Sequence, residues 1–242
     1  MESRLRFFAP SAGCEYLPEE TARLEYMHVD RMTAAEYSEW LEEGWRRFGH
    51  VLFRPACPMC RKCQSLRVPV AAFSAGRTQR RVWRANASGA VRIAIGAPSP
   101  TPAKRRLYER FHRYQQAAKG WPAPDADGLD AFAGNPFPTE EWCYFVDERL
   151  VAVGYVDAVP DGLSAIYFFY DPGERHRSLG TFNVLSIVDA ARQRGLRWVY
   201  LGYYVEGCGS VEYKARFRPN QVLQPDGTWR AFLPAPPPRP GA

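Results

Sequence analysis

The sequence predicts an α/β (α+β) protein whose mostly antiparallel sheet is crossed once by a helix, and three observations carry that expectation. The stretch "EWCYFVDERLVAVGYVDAVPDGLSAIYFFYDP" reads as three strands joined by short polar turns at "DERL" and "PDGL". "SLGTFNVLSIVDAARQRG" follows with helical spacing, placing Leu185, Val188 and Ala191 on its buried side and Gly195 as its stop, and leads into the buried strand "LRWVYLGYYV". Upstream, strand-like and helix-like segments are mixed, and no apolar run approaches the roughly 18 residues of a membrane span.

In chain order, "GCEYLPEETARLEYMHV" reads as a loop leading into an edge strand. "TAAEYSEWLEEGWRRFG" reads as a helix, with Thr33 as N-cap, Glu36 completing a capping box and Gly49 as the end. Tyr37, Trp40, Leu41, Trp45 and Phe48 fall at helical spacing and are expected in the core. "HVLFRPACPMCRKCQSLRVPVAAF" reads as strand, cysteine loop, strand. "TQRRVWRANA" is a turn or short helix bearing arginines, and "VRIAIGAP" is a strand. "TPAKRRLYERFHRYQQAAKG" is a helix opened by Thr101 and Pro102 and closed by Gly120, with Lys104, Arg105, Arg106, Arg110 and Arg113 on its polar sides. Residues 121–139, rich in proline and acid, form a boundary or lid, and "LPAPPPRPGA" is expected to be disordered. The expected division is therefore a basic, cysteine-containing module at 1–120, a second domain at 121–230 and a tail at 231–242.

Charge is unevenly distributed over the 242 residues. Residues 1–120 carry 21 Lys/Arg against 11 Asp/Glu, residues 121–242 carry 11 against 15, and no acid lies between Glu43 and Glu109, where 14 basic residues stand. That asymmetry points to a polyanion, with phosphate as the expected partner. The start, "MESRLRFFAPSAG", lacks the apolar stretch of a secretory signal, so a cytoplasmic protein is expected and its six cysteines are read as thiols, ligands or nucleophiles rather than disulfides.

Three stretches can carry chemistry. In "YDPGERHRSLGT" a strand turns into a helix whose first backbone N–H groups face an anion, Gly180 allows close approach, and Arg175 and Arg177 add charge. This junction resembles the phosphate-binding turn of acyltransferases with the acetyl-CoA N-acetyltransferase (GNAT) fold, and a simple helix start is the competing reading. Cys57, Cys60 and Cys63 stand as C-x2-C-x2-C, and Cys14 is the only other cysteine in the basic half. Four converging thiolates would suit zinc or an iron–sulfur cluster, while the plain alternative is a group of reduced thiols. In "YLGYYVEGCGSVEYKARFRP" a strand containing Tyr204 is followed by Tyr213, Lys214, Arg216 and Arg218. Read as a strand, Lys214, Arg216 and Arg218 share one cationic face, suited to the 3′ end of a nucleic acid or simply to protecting a sheet edge.

Together, "FRPACPMCRKCQSLRVPVAAFSAGRTQRRVWRAN", "FFYDPGERHRSLGTFNVL" and "YLGYYVEGCGSVEYKARFRP" resemble the signature blocks of the aminoacyl-tRNA–protein transferases of the N-degron pathway. The single cysteine of "GCEYLPEETARLEY" is similar to the opening of the bacterial leucyltransferases specific for N-terminal Asp and Glu. The likeness extends to about Arg230, and Cys208 and Glu212 depart from it. The resemblance implies a GNAT-like catalytic half. It implies transfer of leucine, with arginine as the alternative donor, from charged tRNA to a protein α-amine, marking the acceptor for degradation. It also implies that Cys14, Cys57, Cys60 and Cys63 meet in space, as iron–sulfur binding is described for eukaryotic members.

Aminoacyl-tRNA is an activated ester, so no covalent enzyme intermediate and no cofactor are required for transfer. The acceptor amine must lose a proton, the leaving ribose oxygen must gain one, and the oxyanion needs donors. Backbone N–H groups at Leu179, Gly180 and Thr181 are the candidate donors, and Tyr170 and Asp171 the candidates for proton handling, with Asp171 equally readable as a cap of the turn. Arg80 and Arg81, or Arg216 and Arg218, are the candidate clamp for an acidic acceptor side chain. Two other classes remain open from sequence alone: a CoA-dependent N-acetyltransferase, and a non-catalytic RNA-binding metalloprotein.

Overall fold

The computed structural model describes residues 5–123 and 128–232. The chain opens with β1 (Arg6–Phe8), β2 (Ala12–Gly13), β3 (Thr21–Ala22) and β4 (Leu24–His28), then α1 (Ala34–Glu42), β5 (Arg46–Phe48) and β6 (Val51–Pro55). After the cysteine loop come β7 (Gln64–Pro69), α2 (Arg77–Ala87), β8 (Arg92–Gly96) and α3 (Pro102–Lys119). β9 (Thr139–Val146), β10 (Arg149–Val159) and β11 (Gly162–Tyr170) form a meander, and α4 (Leu179–Gln193) crosses to β12 (Trp198–Tyr204). A short α5 (Gly209–Glu212), β13 (Gln221–Leu223) and β14 (Trp229–Ala231) complete the described chain.

Eight strands make the main sheet, in the order β14-β13-β7-β12-β11-β10-β9-β8, and four make a smaller one, β1-β4-β6-β5. β7 and β8 precede residue 120 yet pair with β12 and β9, so the main sheet draws strands from both sides of the expected division. β4 pairs with β1 on one side and β6 on the other, so the expected edge strand is interior and β1 and β5 form the edges.

Apolar side chains on both faces of the main sheet explain its two layers. Phe182, Leu185 and Val188 of α4 pack with Val82 of α2 on one face, and Leu107, Tyr108 and Phe111 of α3 pack with Val153, Tyr155 and Phe169 on the other. A third cluster joins the sheets, where Tyr37, Leu41, Trp45 and Leu52 meet Val159 and Tyr200. Fully burying each such large side chain contributes roughly 1.5–3 kcal/mol.

The helix ends follow the expected caps, with one correction. Thr33 and Glu36 form the capping box, and Gly120 closes α3 at φ 69°. α1, however, stops at Glu42, well before Gly49; Gly44 takes φ 85° and the chain reverses into β5. Tyr37, Leu41 and Trp45 are buried as expected, whereas Phe48 is exposed on β5. "TQRRVWRANA" is fully helical. Residues 128–139 pack rather than hang as a lid: Phe132 stacks on Tyr155 at 4.4 Å, and Leu129 and Phe137 are buried. Residues 233–242 of the proline-rich tail lie outside the described residues. Among those described, no helix is long and apolar enough to cross a membrane.

Candidate active site and nucleic-acid face

Strand direction creates the cleft. β11 and β12 run parallel and are hydrogen-bonded only through Gly162–Ser164 and Trp198–Tyr200. Beyond that register Ala165–Tyr170 and Leu201–Tyr204 are not paired with each other, which leaves a wedge at the strands' C-terminal ends, where open α/β sheets receive ligands. The first turn of α4 faces the end of β11. Phe182 N–H is the first to bond back, to Ser178 O at 3.0 Å, so the N–H groups of Leu179, Gly180 and Thr181 are left as the unpaired donors of a helix start. Ser178 caps with no side-chain bond, and a Cβ on Gly180 would meet nothing within 4 Å.

The other wall is the 209–218 segment. The expected strand there is α5 running into a 3-10 turn (Tyr213–Arg216), so Lys214, Arg216 and Arg218 do not share a strand face. The cause is visible in Lys214, which folds back so that Nζ donates to Tyr203 O at 2.9 Å. Gly202, at φ 80°, makes room for it: a Cβ there would stand 3.4 Å from Nζ. Burial, reinforced by the Arg46 charge, pulls the Lys214 amine down to about 7. Arg216 and Arg218 are exposed, and Tyr213 is half-buried. Tyr204 is buried beneath Phe232, with ring centroids 4.8 Å apart, so its ring face is not open to a base.

Tyr170 and Asp171 sit where the sequence placed them, at the end of β11. Tyr170 packs on Phe111 at 5.1 Å, and burial raises its pKa, which keeps the phenol protonated and a donor. The Asp171 carboxylate is occupied. It accepts from Gly173 N–H at 3.0 Å, from Arg149 at 2.8 Å and from Arg110 at 2.9 Å, so its geometry is that of a clamp between α3, β10 and the turn.

The basic half divides into paired and unpaired charge, a division the sequence did not reveal. On α3, Lys104 is buried against Glu141, while Arg105, Arg110 and Arg113 bond Asp130, Asp171 and Glu109. Arg46 and Arg47 are buried rather than displayed. On α2, Arg77, Arg80, Arg81 and Arg84 are exposed, and among the described residues no carboxylate pairs with them. α2 also touches both walls of the cleft: Gln79 Nε2 donates to Arg216 O at 3.2 Å, and Asn86 Nδ2 donates to Arg177 O at 3.0 Å. Arg80 and Arg81 thus lie on the helix that bridges the α4 start and the 213–218 segment. Arg175 is exposed beside that start, and Arg177 is spent on Glu174 at 2.6 Å.

The thiols gather behind this face. Burial lifts the Cys63 thiol to about 12, and neighbouring Cys14, Cys57, Cys60 and Cys208 add to the effect. Cys208 is buried beside Leu17 and Tyr203, among these thiols. Cys57, Cys60 and Cys63 also line a cleft of about 520 Å³ with Arg54, Ser65 and Tyr203. The donor set suits a thiophilic ion. Among the described residues, though, only His28, Asp30 and His50 bring three ligand atoms within 4.8 Å of one another, so the sulfurs lie more widely spaced than that.

Two family models match the chain: "Arginine-tRNA-protein transferase, N terminus" over residues 12–81 and "Arginine-tRNA-protein transferase, C terminus" over residues 103–224. Proteins named aspartate/glutamate leucyltransferase are similar over most of their length. That of Helicobacter hepaticus is 35% identical, covering 91% of this chain and 92% of that protein. That of Halorhodospira halophila is 37% identical over 90% and 93%, and that of Alkalilimnicola ehrlichii is 38% identical over 89% and 90%. Among solved structures, FemX is 8% identical, with TM-score 0.47 over 85% of this chain and 80% of that one. The unpaired arginines of α2, the first turn of α4 and the paired family matches meet in one conclusion: the chain belongs to the arginine-tRNA-protein transferase family.

Proposed function

We propose that the protein moves leucine from leucyl-tRNA to the α-amine of proteins beginning with Asp or Glu, in the cytoplasm. The observation that carries this reading is α2, whose unpaired arginines connect, through Gln79 and Asn86, to both walls of the β11–β12 cleft. An acceptor stem lying on α2 would bring its esterified 3′ end to that cleft. Leu179, Gly180 and Thr181 N–H groups would then meet the oxyanion, and the Tyr170 phenol would give a proton to the leaving ribose oxygen. With burial drawing its pKa down to about 7, the Lys214 amine loses its proton as pH rises through neutrality. It still donates to Tyr203 O and keeps a lone pair for the acceptor's proton. The names of the relatives favour this reading over CoA-dependent acetyl transfer and over RNA binding without turnover.

Cys14, Cys57, Cys60 and Cys63 are the residues that would hold zinc or an iron–sulfur cluster. Such a group would fix the cysteine loop, and none of the transfer chemistry passes through it. Metal analysis of anaerobically purified protein, wild type against Cys57→Ser, tests this: bound metal is expected and should fall in the variant. The transfer reading is tested with radiolabelled leucyl-tRNA and peptides differing only in residue one. Leucine is expected on Asp and Glu peptides, and no transfer from leucyl- or arginyl-tRNA would refute it.

A further inference from the structure

The Arg46 guanidinium is buried in an unusual way. It is 5% exposed, as deep as Arg47, Arg67 and Lys104, and each of those three faces a carboxylate: Asp157, Glu42 and Glu141. Arg46 faces none. Its Nη1 donates to Trp45 O at 2.6 Å and reaches Leu41 O at the end of α1 at 3.5 Å, while among the described residues Nε and Nη2 have no partner. Glu42, the acid whose charge reaches it, is already bound by Arg67 and Tyr200. An unpaired buried guanidinium is costly. The two idle nitrogens are also a matched pair, since Nε–H and Nη2–H form the parallel fork that receives both oxygens of a carboxylate.

The fork's surroundings are aromatic and cationic. A break in register between β12 and β7 follows Tyr200, and both Tyr200 and Tyr203 then stand with ring centroids 5.8 Å from the guanidinium carbon. Lys214, held at Tyr203 O, is near enough for the Arg46 charge to act on it, and among the described residues it too has no carboxylate partner. Tyr203 also lines the 520 Å³ cleft, together with Gly44, Ser65, Glu43 and Glu25, the last held by Arg6 and Arg54; Arg46 itself does not line it, so the cleft reaches the fork's neighbour Tyr203. A polynucleotide phosphate would carry its sugars into this core, whereas a side-chain carboxylate on the first residue of a peptide would not.

Resting on the function proposed above, we infer that the free fork of Arg46 binds the side-chain carboxylate of the acceptor's N-terminal Asp or Glu and so sets acceptor specificity. Arg46→Lys keeps a buried cation and a donor for the end of α1 but removes the fork. With folding checked by Tm, KM for an Asp peptide is expected to rise about 100-fold, with kcat and KM for leucyl-tRNA within about twofold of wild type. Calorimetric binding of the Asp peptide and its Asn isostere, without tRNA, should show the preference for Asp in wild type and its loss in the variant. A folded variant that keeps the preference overturns the inference and leaves leucine transfer intact. Conversely, no transfer by wild type refutes the function, while the binding arm still decides the role of Arg46. Should the variant not fold, the Nε–H resonance of Arg46 in 15N-arginine-labelled wild type replaces it: a shift with the Asp peptide and none with the Asn peptide is expected. No shift with either, or a shift with tRNA alone, overturns the assignment.

Discussion

Replacing Arg80 and Arg81 together by alanine tests the nucleic-acid face quantitatively. Both are exposed on α2 with no carboxylate partner among the described residues, so their charge is available to neutralise phosphate. On duplex RNA treated like B-form duplex, each phosphate contact steepens the dependence of log K on log salt by about 0.9. Losing two contacts should lower the slope by about 1.8, so the binding defect should shrink about 12-fold between about 50 and about 200 mM salt. Filter binding or fluorescence anisotropy with leucyl-tRNA across that range gives the slope. Arg92→Ala and Arg230→Ala are the matched controls. They are exposed but paired, with Glu148 at 2.8 Å and Asp226 at 2.6 Å, and should leave the slope unchanged. An unaltered slope in the α2 double variant, or an equal fall in the controls, would refute placing the tRNA on α2.

Three further outcomes follow from the geometry. Asp157→Ala should cost about 3–5 kcal/mol in urea unfolding, because it strands Arg47, whose Nε reaches Asp157 at 2.6 Å with both side chains fully buried; a loss under 1 kcal/mol would contradict that. Phe132→Ala should cost about 3–5 kcal/mol if residues 128–139 are part of the core, as its stacking on Tyr155 indicates, and close to nothing if they form a loose lid. The transfer rate should rise with pH through about 7 as Lys214 loses its proton, and Lys214→Arg, which stays charged, should abolish that limb of the profile. The same depressed pKa, below the ordinary 10.5, means that burying the ammonium is a cost below pH 7 that is relieved between 7 and 10.5, so stability relative to Lys214→Met rises across that window. A flat profile in both measurements would remove Lys214 from proton handling.

Much of the fold was legible because local signals agreed with the tertiary outcome. Thr101, Pro102 and Gly120 bound α3, and the turns at "DERL" and "PDGL" separate β9, β10 and β11. What was not legible depended on partners distant in sequence. Nothing near Lys104 announces Glu141, and nothing near Arg46 announces that no acid will reach it, so a run of like charges looked uniform when it was partly paired, partly buried and partly free. The "YKARF" segment alternates like a strand, yet the bond from Lys214 to Tyr203 O turns it into a 3-10 turn. Asp171 looked like a free carboxylate because Arg110 and Arg149 come from other elements. For Arg46 a faint signal existed: a tryptophan and two arginines following the end of a helix, too many cations for an apolar stretch that had to be buried.

The account rests on the charged end of the RNA reaching the wedge between β11 and β12. Photo-crosslinking from a leucyl-tRNA carrying 8-azidoadenosine at its 3′ end, mapped by mass spectrometry, tests this most directly. Adducts are expected within Arg77–Ala87, around Leu179–Thr181 or within Tyr213–Arg216; adducts confined to the small sheet of β1, β4, β5 and β6 would contradict it.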